Sequence, residues 1–455
     1  MPSKKYKYKP RSLKELLVEM KDTSELMIDL AYSALIYDNE DIAEEVMHLE
    51  ENMDVLDYHV KLGCMLSARR IDEAEQLLGV LEVASASENI ANAAMEIAKC
   101  VLMDISIPGS LKLGLRKADE TIVKVRINEE SEMCGQTLGD LELDTEAGMW
   151  VIAIRRNADW IYAPNSDTRV RQDDVLIARG HDEGVPLFFE KATNTKYTPR
   201  RMISSADTDL EQSVDTIVEM KNMCELAVGL AYSALLFNNK DIAEEVRAVS
   251  DQLDEMKYDV QRLVFESAKD IENVDELRGM LILSTASEAI SNAAADIADP
   301  VLRDLEMHPV IALAVRESDE VIIKIEVAPC SPMVGKTFKE LRLETETGIY
   351  VLAIKRDNRW LYSVNGKSVI RDNDILIARG SRVGEEALKE MCTCPVDPRS
   401  SPAGKDRSSG LSSTRQDCAP PRRNKCAAAT EQMCRHDRTN APSRQNKRTA
   451  MTKQI

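Results

Sequence analysis

The chain has 455 residues, enough for about three or four domains, and its 44% hydrophobic but only 4% aromatic composition is typical of a helix-rich protein with aliphatic cores. The formal net charge of −19 would repel a phosphate backbone, so we expect no nucleic-acid partner for the folded part. No apolar run approaches the roughly 20 residues of a membrane-spanning helix, and the basic N-terminus lacks the apolar segment of a signal peptide. We therefore expect a cytoplasmic protein, held at most at the inner face of the membrane by a partner.

A tandem duplication dominates the sequence. The segment LAYSAL at 30–35 returns at 230–235, and DIAEEV at 41–46 returns at 241–246. Further on, DVLIARG at 174–180 returns as DILIARG at 374–380. The displacement stays at 200 residues throughout, so one unit is present twice.

The first part of each copy has helical periodicity. Apolar residues recur at alternating spacings of four and three, at Ile42, Val46, Leu49, Met53, Leu56 and Val60. The spacing predicts helices over 12–37, 40–67 and 71–104, with equivalents 200 residues later. Three amphipathic helices with short links predict an up-down bundle. The Ala/Ser-rich run at 84–94 predicts close helix approach along the third helix.

The second part of each copy changes to the period of a strand. Val- and Ile-rich segments predict strands at Thr121–Ile127 and Met149–Ile154, and turn residues separate shorter strands at Trp160–Tyr162 and Val175–Ala178. Between the first two strands, Thr337 and Glu340 of the second copy match a helix capping box. A small α+β domain is predicted.

The predicted fold class is therefore α+β and multidomain, with a three-helix up-down bundle followed by a small α+β domain, the whole unit duplicated. After about residue 390, Pro, Ser, Arg and Lys dominate and apolar periodicity disappears, which predicts disorder. The predicted boundaries are helical bundle 12–108, α+β domain 112–184, linker 185–208, helical bundle 209–308, α+β domain 312–388, and disordered basic tail 391–455.

Ten cysteines are unevenly distributed, and half of them lie in the tail. Those in the body are isolated and do not recur at matched repeat positions, which predicts a reducing compartment and no disulfide framework. The tail residues that could suggest zinc are Cys392, Cys394, Cys418, Cys426, Cys434 and His436. Their spacing lacks the tight Cys pairs of a zinc framework, so we favour incidental thiols.

Two family resemblances become visible at these residues. DIAEEVMHLEENMD (41–54) and ASASENIANAAMEIA (84–98) resemble the PhoU family of helical-bundle proteins. GQTLGDLEL (135–143), GMWVIAIRR (148–156) and RQDDVLIARG (171–180) resemble the TrkA-C, or RCK-C, domain of K⁺-transport regulators. The whole chain is similar to duplicated PhoU–TrkA-C proteins of archaea. The resemblance implies a regulatory or accessory role in cation transport, with PhoU adding a link to phosphate uptake.

The departures from these families limit what is carried over. A complete K⁺-channel sensor also has a dinucleotide-binding half with Gly-x-Gly-x-x-Gly, which is not found in this sequence, so we do not expect NAD or ATP binding. PhoU proteins hold metal clusters with repeated Glu/Asp-x-x-x-Asp pairs, and that pattern is degraded here. No cofactor is required by the sequence, and a divalent metal or a cyclic dinucleotide is the ligand that the resemblance suggests.

Carboxylates four residues apart on a helix can share a cation, which makes the surviving acidic pairs candidate metal ligands. Several of these pairs lose a member between copies, and Asn replaces the family's Asp in the third helix, offering only a neutral oxygen. A solvated acidic helix face is the alternative interpretation. The candidate metal ligands are Glu50, Asp54, Glu88, Asn92, Asp254, Glu288 and Asn292.

Basic residues end one strand in each α+β domain, at Arg155, Arg156, Lys355 and Arg356. Some TrkA-C relatives bind a cyclic dinucleotide at a dimer interface, where such side chains could contact phosphates. Ordinary exposed charge at a strand end is the alternative. Arg179 and Arg379 also recur, and we interpret them as solubilising arginines at a sheet edge.

Catalytic motifs are missing, since no histidine recurs between copies and no nucleophile elbow, Walker loop or His-Glu-x-x-His is present. We therefore predict that the protein is not an enzyme. We expect the two repeats to pair within one chain, with a homodimer also open, and a membrane cation channel or transporter as partner. The leading function is regulation of K⁺ or divalent-cation transport, such as Mg²⁺. The alternatives are PhoU-like regulation of phosphate uptake, or a metal-binding or structural adaptor.

Overall fold

The computed structural model describes residues 10–116, 121–180, 183–197, 208–268, 274–318, 321–343, 347–357, 359–362, 364, 366–380 and 382–394. Residues 198–207 of the predicted linker and all of the predicted tail from residue 395 onward lie outside the described residues. The described residues all fall within one compact unit of the chain.

The first copy begins with three long helices and continues into an α+β domain. Its elements in chain order are α1 (Leu13–Tyr37), α2 (Glu40–Ser67), α3 (Ile71–Leu102), α4 (Gly109–Arg116), β1 (Thr121–Arg126), α5 (Leu138–Leu141), α6 (Leu143–Glu146), β2 (Met149–Arg156), β3 (Asp159–Tyr162), β4 (Val175–Gly180) and α7 (Val185–Thr193). A capping box of Ser12 and Glu15 starts α1, and the Asn39 side chain accepts a hydrogen bond from the Ile42 N–H at 2.9 Å to start α2. The three predicted long helices are confirmed to within two residues.

The second copy repeats this order. Its elements are α8 (Thr208–Phe237), α9 (Lys240–Ser267), α10 (Val274–Leu302), α11 (Pro309–Glu317), β5 (Val321–Glu326), α12 (Phe338–Leu341), β6 (Ile349–Arg356), β7 (Arg359–Leu361), β8 (Ile375–Gly380) and α13 (Arg382–Cys392). Asn239 caps α9 as Asn39 caps α2, and the predicted Thr337–Glu340 capping box is present at α12. The predicted fold class, two helical bundles each followed by a small α+β domain, is confirmed.

The six long helices share one hydrophobic core. Buried residues of α1 to α3 and of α8 to α10 belong to a single continuous cluster, which includes the fully buried Ile90 and its repeat counterpart Ile290. Helices α3 and α10 pack against each other along their Ala-rich faces. The predicted close approach of the third helix is therefore made to the third helix of the other copy.

Glycines at equivalent positions permit this approach. A Cβ added at Gly279 would lie 2.7 Å from the carbonyl oxygen of Ser106, and one at Gly79 would lie 3.1 Å from the Met307 sulfur. Each glycine therefore contacts the segment that follows the third helix of the other copy. A side chain at Gly279 would displace the backbone at Ser106. The two helical domains are packed as one six-helix unit.

Each α+β domain contains a four-stranded antiparallel sheet that is buried on both faces. The strand order is β1-β4-β2-β3 in the first copy and β5-β8-β6-β7 in the second. Ile122, Ile152 and Ile177 of one face belong to the core of the helical bundle, whereas Val123 and Ala178 of the other face belong to a core within the domain. The sheet thus lies between the bundle and its own C-terminal helix.

That C-terminal helix corrects the predicted boundaries. Residues Val185–Thr193, which we assigned to a linker, form α7, and Phe188 and Ala192 of this helix are buried against the sheet. In the second copy α13 extends to Cys392, so the first residues assigned to the tail are part of the α+β domain. Both helices were missed because each is short and lies next to glycine and charged residues.

A disulfide joins Cys330 to Cys394, 64 positions apart in the chain. Helix α13 returns the chain end of the domain to the loop after β5, which brings the two sulfurs together. Cys330, which we expected to be an incidental thiol, is therefore bonded, although this single bond is not a disulfide framework. Among the described residues, Cys64, Cys100, Cys134, Cys224 and Cys392 are free thiols.

Candidate ligand and metal sites

The two α+β domains contact each other within the chain. The Lys339 ammonium lies 3.3 Å from the Glu183 carboxylate across this contact. Gly348 adopts φ +63°, and a Cβ added there would lie 3.0 Å from the carbonyl oxygen of Asp144. The predicted pairing of the two domains within one chain is confirmed by these contacts.

A cavity of about 390 Å³ lies at this contact. The first copy contributes α5, α6, the Trp150 indole and the loop at Asn165, and the second contributes Glu317 and Arg382. Arg382 is the one basic residue among the lining residues, which also include three carboxylates, those of Glu142, Asp144 and Glu317. This excess of carboxylates over cations among the lining residues disfavours a doubly negative ligand and favours a neutral or cationic one.

Arg156 and Arg356 are held in ion pairs inside their own domains. The Arg156 guanidinium donates to both oxygens of Asp174, at 2.9 and 2.7 Å, and Arg356 donates to both oxygens of Asp374, at 2.8 and 2.6 Å. The hydrogen bonds to Asp174 raise the pKa of Arg156. Both aspartates are almost fully buried, so these pairs close the turn before the last strand of each sheet.

The other two basic candidates face the helical domains or a neighbouring ring. Arg155 forms an ion pair with Asp41 at the start of α2. The Lys355 ammonium lies 5.4 Å from the centroid of the Trp360 ring. None of the four lines the cavity between the α+β domains, although Arg356 lines a separate cavity of about 380 Å³ beside Trp360. Phosphate binding by these four residues stays a prediction.

The acidic candidates of the first helical domain are close enough to interact. Burial raises the pKa of Glu50, with Asp54 and Glu88 as the next causes. Burial also raises the pKa of Glu88, although the Asn92 amide donates a hydrogen bond to it at 2.7 Å. The neighbouring Asp57 adds a fourth carboxylate and forms an ion pair with Lys61 at 2.6 Å, so four carboxylates lie near one paired lysine in the first copy.

In the second helical domain a lysine offsets the negative charge of the equivalent acidic group. Lys257 stands where the first copy has Asp57, and its ammonium lies 3.1 Å from Asp254 and 3.2 Å from Glu288. Hydrogen bonds within this group, first with Glu288 and then with Lys257, lower the pKa of Asp254. Asn292 donates to Glu288 at 2.6 Å and accepts from the Ser250 hydroxyl at 2.6 Å. These donors contact Oε1 of Glu288 and Oδ1 of Asp254, two oxygens that a metal ion at this place would otherwise use.

A groove of about 490 Å³ between α3 and α10 brings candidates from both copies together. Asn92, Glu288 and Asn292 line it, together with Glu96 and Asp296. Within the part of the chain that the structure describes, no three His, Cys, Asp or Glu side chains are grouped so that they could hold a metal ion. Metal binding by Glu50, Asp54, Glu88, Asn92, Asp254, Glu288 and Asn292 stays a prediction.

Sequence reasoning missed the residues that join each sheet to its bundle. The Arg179 guanidinium lies 3.0 Å from the Asp29 carboxylate, and both side chains are largely buried. Arg179 belongs to β4, which pairs with strands on both sides, so its assignment to a sheet edge is wrong. In the second copy the Trp360 indole N–H donates to Asp241 at 3.3 Å. The replacement of Asp29 by Gly229 between copies was a visible signal that this interface differs.

The described helices include none that combines the length and apolarity needed to cross a membrane.

Comparison with protein families assigns a domain to nearly every part of the repeat. The PhoU domain model matches residues 17–101 and 217–301, and the TrkA-C domain model matches residues 122–193 and 322–393. The TrkA-C matches include α7 and α13, in agreement with the corrected boundaries. A comparison with curated proteins gave no match.

A comparison with solved structures matched proteins of both kinds. PhoU from Pseudomonas aeruginosa is 11% identical and aligns over 64% of this chain and 96% of its own, with a TM-score of 0.35. The phosphate transport system regulatory protein PhoU from Streptococcus pneumoniae is also 11% identical over 64% of this chain and 91% of its own, with a TM-score of 0.35. The GsuK channel bound to NAD is 11% identical over 70% of this chain and 65% of its own, with a TM-score of 0.16. The domain assignment rests on the family models.

Proposed function

This chain is a tandem PhoU and TrkA-C domain protein, and we propose that it is a regulatory subunit of a cation transport system, for potassium or a divalent ion such as magnesium. In this proposal the paired TrkA-C domains sense a small ligand, and the PhoU unit passes the change to a transporter. PhoU and TrkA-C domains are regulatory domains of phosphate and ion transport, so the domain content supports a regulatory role in ion or phosphate transport.

The observation that carries the proposal is the cavity of about 390 Å³ where the two TrkA-C domains meet. Both copies line it, so a ligand there would favour one relative arrangement of the two domains over others. Cavities of this size at domain contacts are common ligand sites. This cavity is therefore the proposed binding site of the regulatory ligand.

Contacts between the domains offer a route for that signal. Trp150 lines the cavity and belongs to β2, whose other end carries Arg155 in its ion pair with Asp41 of α2. In the second copy the Tyr362 hydroxyl donates to the Asp241 carbonyl oxygen at 3.2 Å. A shift of either sheet would therefore change a contact at the start of a long PhoU helix, α2 or α9. Such a contact is what physical coupling between the cavity and the PhoU unit requires.

A ligand screen on the full chain tests the sensing step. Thermal unfolding would be followed with K⁺, Mg²⁺ and a cyclic dinucleotide, each added separately. Val383→Trp should fill the cavity and abolish any stabilisation by the true ligand, because Val383 lines the cavity and is exposed. Glu386→Trp, at an exposed position on the same helix, is the matched control. Stabilisation that Val383→Trp leaves unchanged would place the ligand elsewhere.

Partner capture from membranes of the native host tests the transport step. Recovery of a cation channel or transporter with the tagged full chain supports the proposal, as would a growth defect of a deletion strain under K⁺ or Mg²⁺ limitation. Recovery of a phosphate transporter, with a defect confined to phosphate limitation, would instead support PhoU-like regulation of phosphate uptake, which the two PhoU domains favour as second candidate.

A metal-binding adaptor is the remaining candidate. The carboxylates Glu50, Asp54 and Glu88 of the first PhoU domain favour it, because their mutual repulsion would be relieved by a divalent cation. Tight binding of Mn²⁺ or Mg²⁺ without any membrane partner would support that function over the others.

A further inference from the structure

The disulfide of the second TrkA-C domain joins two exposed cysteines, Cys330 and Cys394. It ties the loop after β5 to the residues that follow α13. Because both cysteines are exposed among the described residues, a thiol reagent has access to the bond. In the reducing compartment that the isolated thiols predict, disulfides are typically transient and serve catalysis or redox sensing. Since we predict that the protein is not an enzyme, redox sensing is the role that this bond favours.

The first TrkA-C domain makes the same connection without a disulfide. Asn128 donates hydrogen bonds from its backbone N–H and its side-chain amide to carbonyl oxygens at the end of α7, at 3.3 and 3.1 Å. Ala328 stands at this position in the second domain, and it keeps only the backbone hydrogen bond, to Cys392 at 2.9 Å. Glu130 and Asn194 stand where the second domain has the bonded cysteines. The second domain therefore has a bond that reduction can break where the first has a hydrogen bond that is insensitive to redox state.

Cys392 lies two residues before Cys394 but does not compete for the bond. Its side chain is buried, and its Sγ lies 3.7 Å from the Met333 Sδ. Burial raises the pKa of the Cys392 thiol to about 12, so this thiol stays protonated at neutral pH. Only a thiolate attacks a disulfide, so Cys392 does not exchange with the bond.

Helix α13 connects the disulfide with the cavity between the TrkA-C domains. Its last turn leads to Cys394, whereas Arg382 and Val383 at its start line the cavity. The Arg382 guanidinium also donates to the Arg316 carbonyl oxygen at 3.2 Å. Leu388, between the two ends, is buried in the core of the domain. Because a helix of 11 residues moves as one element, its attachment at one end affects the side chains at the other.

We propose that Cys330 and Cys394 form a redox switch that sets how firmly α13 holds its side of this cavity. The inference rests on the proposed function, because it assigns a regulation to the same ligand site. In the oxidised form, the disulfide and hydrogen bonds fix the end of α13. In the reduced form only the hydrogen bonds remain, among them that from the Ser331 hydroxyl to the Met391 carbonyl oxygen at 2.6 Å. Ligand binding must then order a looser helix, which lowers the affinity.

The reductant in this proposal is a protein dithiol, and the oxidant is a small-molecule disulfide. One thiolate of the dithiol attacks a sulfur of the bond, a mixed disulfide forms, and the other cysteine leaves and takes up a proton. The second thiol of the reductant then releases the remaining cysteine. Two electrons and two protons pass to the protein, and the reductant becomes a disulfide. Reoxidation passes them from the two cysteine thiols to the small disulfide, which becomes two thiols.

Thiol trapping in cells of the native host tests the switch. Cells are quenched in acid and free thiols are alkylated, before and after exposure to diamide. Peptide mass spectrometry then measures the bonded fraction of the Cys330–Cys394 pair. We expect mostly free thiols before diamide and mostly the disulfide after it. An unchanged fraction, whether bonded or free, would overturn the proposal, as would pairing of either residue with another cysteine.

Hydrogen exchange of the purified full chain tests the link to the cavity without a ligand. With dithiothreitol, amide exchange at residues 382–384 should become at least about tenfold faster. Cys330→Ser should show the fast exchange without reductant. Cys134→Ser, at the exposed free thiol of the first TrkA-C domain, is the matched control and should behave as the wild type. Equal exchange at residues 382–384 in both redox states would overturn the proposal.

A triple variant, Ala328→Asn/Cys330→Glu/Cys394→Asn, installs the residues of the first domain. Its exchange at residues 382–384 should be slower than that of Cys330→Ser and should not respond to dithiothreitol. A response of this variant to the reductant would place the redox-sensitive group elsewhere and overturn the proposal.

Calorimetric titrations with K⁺ and with Mg²⁺ connect the switch to ligand binding. A cation that binds at the cavity should bind about fivefold or more weakly to the reduced chain. Equal affinity of the two redox forms would contradict redox control of the site. If neither cation binds either form, the ligand assignment of the proposed function fails, whereas the exchange at residues 382–384 still decides the switch.

Discussion

The hydroxyl of Tyr32 in the first PhoU domain lies 3.1 Å from the hydroxyl of Ser287 in the second. The reciprocal pair, Ser87 and Tyr232, has a separation of 3.0 Å. All four side chains are buried, and each tyrosine also lies near the other copy's lysine, with Lys221 5.7 Å from the Tyr32 ring centroid. Because buried hydroxyls must be paired, these bonds fix one register of the two domains and relate them by an approximate two-fold axis.

Removing these hydroxyls should loosen the pairing of the PhoU domains. Tyr32→Phe and Tyr232→Phe should each lower the free energy of unfolding by about 1 kcal/mol, because a buried hydrogen bond is lost while ring packing is kept. Urea unfolding followed by circular dichroism measures the change. Tyr258→Phe, at an exposed tyrosine, is the control and should have no effect. Equal midpoints for all three variants would show that the hydroxyls do not stabilise the domain contact.

A buried ion pair supports the same interface. Lys221 is almost completely buried, and its ammonium lies 2.7 Å from the Glu225 carboxylate. Lys221→Met alone should lower the free energy of unfolding by about 3–5 kcal/mol, because Glu225 would lose its nearest positive charge in a buried site. The double variant Lys221→Met/Glu225→Leu should recover most of that loss.

A double-mutant cycle in urea measures this coupling. The exposed pair Arg262 and Asp259, 3.3 Å apart, supplies the matched control. Arg262→Met should lower the free energy of unfolding by less than about 1 kcal/mol. A loss at Lys221 as small as that at Arg262 would contradict the assigned role of the buried pair.

Much of the fold was predictable because its signals are local. The apolar stripe from Ile42 to Val60 predicted α2, and its repeat predicted α9, so the boundaries of both helices were predicted closely. The strands Met149–Arg156 and Val175–Gly180 followed from β-branched runs between turns. The short helix at Val185–Thr193 has no such periodic run, and its few apolar residues are buried only because a sheet face lies opposite.

The candidate sites were less predictable because they depend on pairings between distant residues. Arg156 looked like an exposed strand-end charge, but Asp174, 18 positions away, accepts both of its hydrogen bonds. One useful signal was present in the sequence. The exchange of Asp57 for Lys257 between copies already indicated that the second acidic group carries its own cation.

Reduction of the disulfide should destabilise the second TrkA-C domain. The bond between Cys330 and Cys394 closes a loop of 64 residues, which corresponds to about 2–4 kcal/mol through restriction of the unfolded chain. Hydrogen exchange of β5 and α13 should therefore become faster with dithiothreitol. Cys330→Ser should show the faster exchange without reductant and no further response to it, whereas the first TrkA-C domain should be unaffected in both. If dithiothreitol did not change the hydrogen exchange of the wild-type protein, the bond would not stabilise the domain.

The same substitution should have opposite effects in the two PhoU domains. Burial raises the pKa of Glu88, so its folded form binds a proton more tightly than the unfolded chain does. Ionised Glu88 therefore costs stability at neutral pH, and this cost disappears as the pH falls through the raised pKa. With chelator present, Glu88→Gln should raise the free energy of unfolding at pH 7 by less than about 1 kcal/mol, since the side chain is only partly buried.

Glu288→Gln should instead be destabilising at pH 7, because it removes a carboxylate 3.2 Å from the Lys257 ammonium. Below the unfolded pKa of about 4.3, the gain in Glu88→Gln should vanish, because the wild-type side chain is then protonated in both states. Urea unfolding of both variants and of the wild type at the two pH values measures this. Effects of the same sign at neutral pH would contradict the view that burial destabilises ionised Glu88, whereas Lys257 stabilises ionised Glu288. Opposite signs would support the different electrostatic surroundings of Glu88 and Glu288 in the two PhoU domains.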